Sequence, residues 1–322
     1  LGAKPKRAII PIMHTRHPHP FKNQPTIRRL GFLLGILMIL IGCTTKEATV
    51  PGTTSPQDPL KGVLAPDAKT EKVTDGFQFT EGPVWHPDGY LLFSDIPANT
   101  IYKWVPGETE ATVFRKPSNH SNGLTLDAQG RLIACEHDRR VSRTEADGSV
   151  VAIATHYQDG RLNSPNDVVL HSDGSIYFTD PPYGLPGQKE GKEQPWNGVY
   201  RLAPGGTLTL LDDSFERPNG LAFSPDEKTL YVDDSYKDHI RAFDVLQDGT
   251  LANGRVFADL GDPEAKGVPD GMKVDVLGNV FCTGPGGIWI VAPDGTKLGR
   301  IVVPEQPANL AWGDDDYKTF YI

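Results

Sequence analysis

Two short patterns recur along most of the chain at intervals of about 40 to 50 residues. The first is a turn containing Gly or Asp, followed by a strand of alternating polarity that ends in a small or acidic residue. It occurs in HPDGYLLFSD (86–95), DAQGRLIACEH (127–137), HSDGSIYFTD (171–180), SPDEKTLYVDD (224–234), DVLGNVFCTG (275–284) and GDDDYKTFYI (313–322). Repeats of this length, with several strands and no helical stretch, are typical of propeller blades. The sequence therefore predicts an all-β, six-bladed β-propeller.

The second pattern is a polar residue that opens the apolar run before each of these turns. These residues are separated by 41, 44, 53, 51 and 39 positions and are Glu81, Asn122, Asn166, Asn219, Asp270 and Asn309. Asn-Gly and Asp-Gly are also ordinary turn dipeptides, so any one of them alone would be read as a turn residue. Since equivalent strands of a propeller surround one axis, we expect the six side chains to converge at one mouth of the central channel. We call them the channel ring.

The channel ring offers oxygen atoms and contains neither thiol nor imidazole groups. Hard divalent cations prefer such ligands, and Ca²⁺ accepts six to eight of them in a loose geometry. The carboxylates of Glu81 and Asp270 would balance a charge of +2. Residues from different blades are not easily drawn into the tight octahedron that Mg²⁺ requires. The sequence thus predicts a central metal site, with Ca²⁺ as the expected ion.

The charge of the chain is distributed unevenly. Residues 1–42 hold seven basic side chains and no acidic one, whereas the whole chain has a formal net charge of −9. Residues 43–322 are therefore more acidic than the chain as a whole and would repel phosphate backbones. This excludes nucleic acid as an expected partner. The chain also lacks the G-x-S-x-G, H-E-x-x-H and P-loop patterns of other common enzyme classes.

The N-terminal region has the features of an export signal. Twelve uncharged residues (30–41) follow Arg28 and Arg29 and precede Gly42 and Cys43; this is too short for a membrane-spanning helix and suits a signal peptide. Its last residues resemble a bacterial lipobox, which implies cleavage before Cys43 and lipidation of that residue. An ordinary signal peptide with an incidental Cys, or a buried helix, are the alternatives. We expect a signal peptide at 1–42, a flexible tether at 43–65 and the propeller at 66–322.

This organisation implies a location. The protein would be exported to the periplasmic face of a bacterial membrane as a lipoprotein, or otherwise to the periplasm, and would contact the membrane only through its lipid anchor. The last blade is short at its C-terminal end, or the sequence is truncated there. The oligomeric state is left open.

Several motifs together resemble the SMP-30/gluconolactonase family, most closely its bacterial gluconolactonase-like members. They include FTEGPVW, SNGLTLD, LNSPNDVVLHSDGSIYFTDPPYG, RPNGLAFSPDEKTLYVDDS and PDGMKVD, and the similarity runs from about Lys72 to the last residue. The resemblance implies a six-bladed propeller with one catalytic divalent ion, usually Ca²⁺ and sometimes Zn²⁺ or Mn²⁺. It implies metal ligation by Glu81, Asn166, Asn219 and Asp270, and substrate contact by Asn122, Glu136 and His137.

The same resemblance implies a reaction. Most characterised members hydrolyse lactones, so the expected activity is hydrolysis of a small sugar lactone such as glucono-1,5-lactone to the aldonic acid. The metal would polarise the lactone carbonyl, and Asp270 would act as the general base. Two alternatives remain: a non-catalytic propeller that binds a ligand or partner, and a hydrolase of organophosphates or other esters that uses the same metal site.

Overall fold

The computed structural model describes residues 8–10, 60 and 62–322. Most of the predicted signal segment, Cys43 and most of the predicted tether lie outside the described residues. Between residues 62 and 322 the single helix is the 3₁₀ turn Pro186–Gln188, and no helix in the described chain has the length and apolar character of a membrane span. The cysteines Cys135 and Cys282, both in strands, are buried free thiols.

Strands account for nearly all regular structure. The first two, β1 (Ala8–Ile10) and β2 (Thr70–Lys72), precede five sheets that are each built from four consecutive strands with antiparallel pairing. Blade A contains β3 (Thr80–His86), β4 (Tyr90–Asp95), β5 (Thr100–Trp104) and β6 (Thr112–Arg115). Blade B contains β7 (Ser121–Leu126), β8 (Leu132–Glu136), β9 (Arg140–Thr144) and β10 (Val150–Ala154).

A small hairpin, β11 (His156–Tyr157) with β12 (Gly160–Arg161), leads from blade B to the remaining blades. Blade C contains β13 (Val168–Leu170), β14 (Ile176–Asp180), β15 (Asn197–Leu202) and β16 (Leu208–Phe215). Blade D contains β17 (Pro218–Phe223), β18 (Thr229–Asp234), β19 (His239–Val245) and β20 (Leu251–Asp259). Blade E contains β21 (Met272–Val274), β22 (Val280–Gly284), β23 (Gly287–Val291) and β24 (Lys297–Ile301).

The all-β propeller is confirmed, but the prediction of six blades is wrong, because the described chain forms five. The sixth repeat supplies one antiparallel pair, β25 (Ala311–Gly313) with β26 (Thr319–Tyr321). Its sheet is completed by strands from the other end of the chain: β1 pairs in parallel with β26, and β2 pairs in parallel with β1. This closing sheet is therefore mixed and drawn from distant segments.

Apolar clusters fill the spaces between neighbouring sheets. One joins blades A and B through Leu92, Ile101 and Leu124, and another joins blade A to the closing sheet through stacked Trp85 and Tyr321. Equivalent clusters lie between B and C, C and D, D and E, and E and the closing sheet. The inner strands of each blade are thus buried against a neighbouring sheet, and this burial is the main stabilising contribution to the ring.

Polar contacts near the axis tie each blade to the next. The small residue near the end of the second strand donates a hydrogen bond to a backbone carbonyl of the following repeat. Ser94 Oγ donates to Asn122 O at 2.8 Å, and Thr179 Oγ1 donates to Asn219 O at 2.7 Å. Because these carbonyls belong to channel-ring residues, the contacts set the position of the ring.

Glycine follows the channel-ring residue in four repeats, and the close approach of the inner strands requires it. A Cβ atom on Gly82 would lie 2.1 Å from the carbonyl oxygen of Asn122, and one on Gly220 would lie 2.1 Å from that of Asp270. Gly220 N also donates to Asp270 O at 3.0 Å. The absence of a side chain therefore allows neighbouring repeats to hydrogen-bond directly around the axis.

Candidate functional site

The structure brings the six residues of the channel ring together. On one side Asn122 Nδ2 donates a hydrogen bond to Asn166 Oδ1, and Asn166 Nδ2 donates one to Asn219 Oδ1. On the other side Asn309 Nδ2 donates to Glu81 Oε2 at 3.0 Å. Five of the six are buried, whereas Asp270 is partly exposed. The ring is thus a closed set of polar side chains, with Asp270 the member most open to a substrate.

The carboxyl groups of Glu81 and Asp270 lie close enough to interact directly. Burial raises the pKa of Glu81 from 4.5 to about 7, against the lowering effect of its bond from Asn309. Burial, followed by repulsion from Glu81 and from Asp233, raises the pKa of Asp270 well above its ordinary value. Two buried carboxyl groups in contact need either a shared proton or a cation between them.

The donor chemistry of the ring fits an oxygen-preferring divalent cation. Glu81 and Asp270 supply carboxylate oxygens, Asn166 and Asn219 supply amide oxygens, and Asn122 Oδ1 is buried without a hydrogen-bond partner. Within residues 62–322 no three His, Cys, Asp or Glu side chains come together in a way that could hold a metal ion by themselves. The predicted site therefore depends on its two amides, which suits Ca²⁺ better than ions that favour nitrogen or sulfur.

A second layer of charged groups lies close to the ring and was missed by sequence reasoning. Asp167 and Asp233 are buried, and each has one carboxylate oxygen without a hydrogen-bond partner. Burial raises the pKa of both carboxyl groups. Lys273 Nζ donates to Asn309 Oδ1 at 3.3 Å and partly offsets this negative charge. Asp167 could have been noticed, because it occupies the position at which four other repeats have Gly.

His137, predicted to contact the substrate, lies beside the ring. Its Nε2 atom is 3.3 Å from Asn122 Nδ2 and 3.5 Å from Asn166 Oδ1. Burial lowers the pKa of this imidazole to about 4. The ring of His137 is therefore neutral near pH 7 and can exchange hydrogen bonds with a polar ligand without carrying charge.

Glu136, also predicted to contact the substrate, is not brought to the ring. Its buried carboxylate accepts hydrogen bonds from Arg115 Nη2 at 2.8 Å, from Ser142 Oγ at 2.5 Å and from Arg140 Nε. The acids that end the equivalent strands, Asp95 and Asp234, likewise accept hydrogen bonds, in their case from backbone N–H groups of their own blade. This position of the repeat is structural, and Glu136 fills it with an ion-pair cluster.

The segment that follows β14 is tied to the neighbourhood of the ring. Ser164 Oγ donates to Pro181 O at 2.7 Å and accepts from Gly184 N at 2.8 Å. Between these anchors, the hydroxyl of Tyr183 interacts with the Ser235 side chain. Ser235 Oγ accepts a hydrogen bond from Asn219 Nδ2 at 3.0 Å. Ser235 therefore links Tyr183 to the ring.

Comparisons with known proteins identify the family of the chain. The family model described as the SMP-30/Gluconolactonase/LRE-like region matches residues 79–322. The gluconolactonase of Zymomonas mobilis is 37% identical over 81% of this chain and 80% of its own length, and the pentonolactonase of Haloferax volcanii is 28% identical over 79% and 84%. A solved structure of a gluconolactonase from Xanthomonas campestris, 38% identical, superimposes with a TM-score of 0.68 over 75% of this chain and 81% of that one. The chain belongs to the SMP-30/gluconolactonase/LRE-like family.

Proposed function

We propose that this protein is a hydrolase of sugar lactones that depends on a divalent cation, with glucono-1,5-lactone as a representative substrate and the aldonic acid as product. The observation that carries the proposal is the contact between the carboxyl groups of Glu81 and Asp270, beside the amides of Asn166 and Asn219, at the mouth of the propeller channel. The gluconolactonase and pentonolactonase relatives support the choice of lactones.

Glu81, Asn166, Asn219 and Asp270 would hold the cation, and Ca²⁺ fits their oxygen atoms best. When bound, the ion supplies Lewis acidity toward the lactone carbonyl and stabilises the negative charge of the transition state. It would also offset the repulsion among the buried carboxylates, which otherwise favours their protonated forms. Zn²⁺ and Mn²⁺ are the alternative ions to be compared.

Asp270 would act as the general base. Among the ring residues it is the partly exposed one, so water at the mouth can reach its carboxylate. In its ionised form that carboxylate accepts a proton from the water molecule that attacks the lactone carbonyl. Asn122 and the neutral imidazole of His137 lie beside Asn166 of the same ring and would hydrogen-bond the hydroxyl groups of the sugar.

The test is hydrolysis of glucono-1,5-lactone by the full chain, measured by proton release after treatment with EDTA and then with Ca²⁺, Zn²⁺ or Mn²⁺ restored. Spontaneous hydrolysis is subtracted. We expect turnover that returns with a divalent ion and falls at least about 100-fold in Asp270→Asn, with no comparable loss in Asp275→Asn, a turn carboxylate of the same repeat. Full activity in Asp270→Asn would refute its role as base.

The same assay separates the alternatives. A folded protein that binds Ca²⁺ but hydrolyses no lactone would be a ligand-binding propeller. Faster hydrolysis of phosphotriesters than of lactones would indicate an organophosphate hydrolase. We further propose that the protein is an exported lipoprotein anchored through Cys43, which rests on the sequence of the N-terminal segment.

A further inference from the structure

A cationic side chain lies at the mouth of the channel without a partner of opposite charge. Arg217 is two residues before Asn219, and its backbone carbonyl accepts a hydrogen bond from Ser235 N at 3.0 Å. Its Nη1 atom donates to Glu216 O at 2.9 Å, and its guanidinium lies 4.5 Å from the centre of the Tyr236 ring. Its Nε atom is buried and has no hydrogen-bond partner.

A second cation, Lys192, reaches the same region from the loop between β14 and β15. Its Nζ atom has one weak contact, to Pro195 O at 3.4 Å. Burial and then repulsion from Arg217 lower the pKa of Lys192, against the attraction of the Asp180 carboxylate, so the two cations are close enough to influence each other. Tyr183 also interacts electrostatically with Arg217 and with Asp270. We call Lys192 and Arg217 the mouth cations.

The mouth cations are unusual for this chain. Residues 43–322 are acidic, yet within the described residues no carboxylate forms an ion pair with Lys192 or Arg217. The neighbouring Glu216 carboxylate is instead paired with Lys237 at 2.7 Å. Two adjacent, partly buried and unpaired cations repel each other. A bound anion would offset this repulsion and could accept a hydrogen bond from the free Nε atom of Arg217.

We propose that Arg217 and Lys192 form an anion-binding subsite beside the channel ring, so that the preferred substrates are lactones whose side chain carries a carboxylate or a phosphate. The inference rests on the proposed function and deepens it: the ring would hold the lactone group, and the mouth cations would bind the charged end of the same molecule. The guanidinium plane can bind either anion through two parallel N–H groups, whereas Lys192 contributes a point charge.

The test compares matched pairs of lactones that differ in one charged group. Glucono-1,5-lactone is compared with its 6-phosphate, and glucono-1,4-lactone with glucaro-1,4-lactone, which carries a carboxylate. We expect kcat/KM to be at least about tenfold higher for one or both of the charged members, and the pair with the larger ratio identifies the anion. High salt should reduce the ratio, because the cations are partly exposed.

Arg217→Gln should lower this ratio about tenfold, and Arg217→Lys should keep part of it. The matched control is Lys228→Gln, which removes an exposed cation from the turn at the other end of β17. A ratio of one or less in the wild type, or an equal ratio in wild type and Arg217→Gln, would overturn the subsite even if neutral lactones are hydrolysed.

A binding measurement decides the proposal independently of turnover. Calorimetric titration with 6-phosphogluconate, glucarate and gluconate should show tighter binding of at least one of the two ligands that carry a second anionic group, with the difference lost in Arg217→Gln. If no lactone is hydrolysed but this difference is found, the proposed function fails and the anion subsite stands. If all three ligands bind equally or do not bind, the subsite is refuted.

Discussion

The contact between Glu81 and Asp270 makes the stability of the metal-free protein depend on pH through this pair of carboxyl groups. The pKa of Glu81 is about 7 in the fold, against 4.5 ordinarily. Below pH 4.5 the group is protonated in both the folded and the unfolded state. Between pH 4.5 and 7 the folded state holds one more proton than the unfolded chain, so the free energy of unfolding falls as pH rises.

The size of this effect follows from the shift. One pKa unit corresponds to about 1.4 kcal/mol, so Glu81 lowers the free energy of unfolding by about 3 kcal/mol across this range. His137 contributes with the opposite sign. Its pKa of about 4 lies below the ordinary 6.5, so its contribution rises as pH increases through the same range. Because the two contributions oppose each other, the stability of the wild type against pH does not isolate Glu81. The prediction therefore concerns the difference in free energy of unfolding between Glu81→Gln and the wild type.

The perturbation is Glu81→Gln, which removes the titrating group and keeps an oxygen that can accept the bonds from Asn309 Nδ2 and Gly82 N. In EDTA, the free energy of unfolding of the variant minus that of wild type should increase by about 3 kcal/mol between pH 4.5 and 7.5. Denaturant titrations at five or six pH values measure it. Glu108→Gln, at an exposed carboxylate between β5 and β6, is the control.

Adding Ca²⁺ provides the second arm of the same experiment. At pH 7.5 and 100 times its dissociation constant, Ca²⁺ should stabilise the wild type by about 2.7 kcal/mol, and it should stabilise Glu81→Gln much less. A difference between variant and wild type that stays constant with pH would show that Glu81 titrates normally in the fold. Equal stabilisation of both proteins by Ca²⁺ would remove Glu81 from the metal site.

Three further predictions concern the fold and the N-terminus. Gly220→Ala should destabilise the protein by about 1 to 3 kcal/mol, because its Cβ would overlap the Asp270 carbonyl oxygen. Thermal unfolding measures this change. The control is Gly205→Ala, which has open space around it and should be close to neutral. Glu136→Gln should lower the free energy of unfolding by about 3 to 5 kcal/mol, since it leaves buried Arg115 without its charged partner. A denaturation midpoint equal to that of the wild type would show that the ion pair contributes little. The full chain expressed in a bacterium should incorporate labelled palmitate, and Cys43→Ser should not; equal labelling would exclude this anchor.

The repeat pattern determined most of the fold because each blade is a local structure. Each repeat of about 50 residues contains one channel-ring residue, a turn and a strand. The order of the repeats in the sequence is therefore also their order in space. The same reasoning placed the channel ring correctly: Asn122, Asn166 and Asn219 occupy equivalent positions of successive repeats, and equivalent positions meet at the axis. For Asp270 as base and for the metal ligands, the structure supplies the arrangement, and their roles stay predictions.

Tertiary structure alone decided how the ring closes and which other groups reach the site. In the closing sheet β1 pairs with β26 and β2 pairs with β1, so segments from opposite ends of the described chain come together. Tyr183 and Lys192, from the loop between β14 and β15, interact with Arg217, which precedes β17. Glu136 is held by Arg115 from the preceding blade. The physical reason is common to all of these: periodicity specifies positions within a repeat, whereas contacts between non-equivalent residues depend on loop paths and side-chain packing, which have no period.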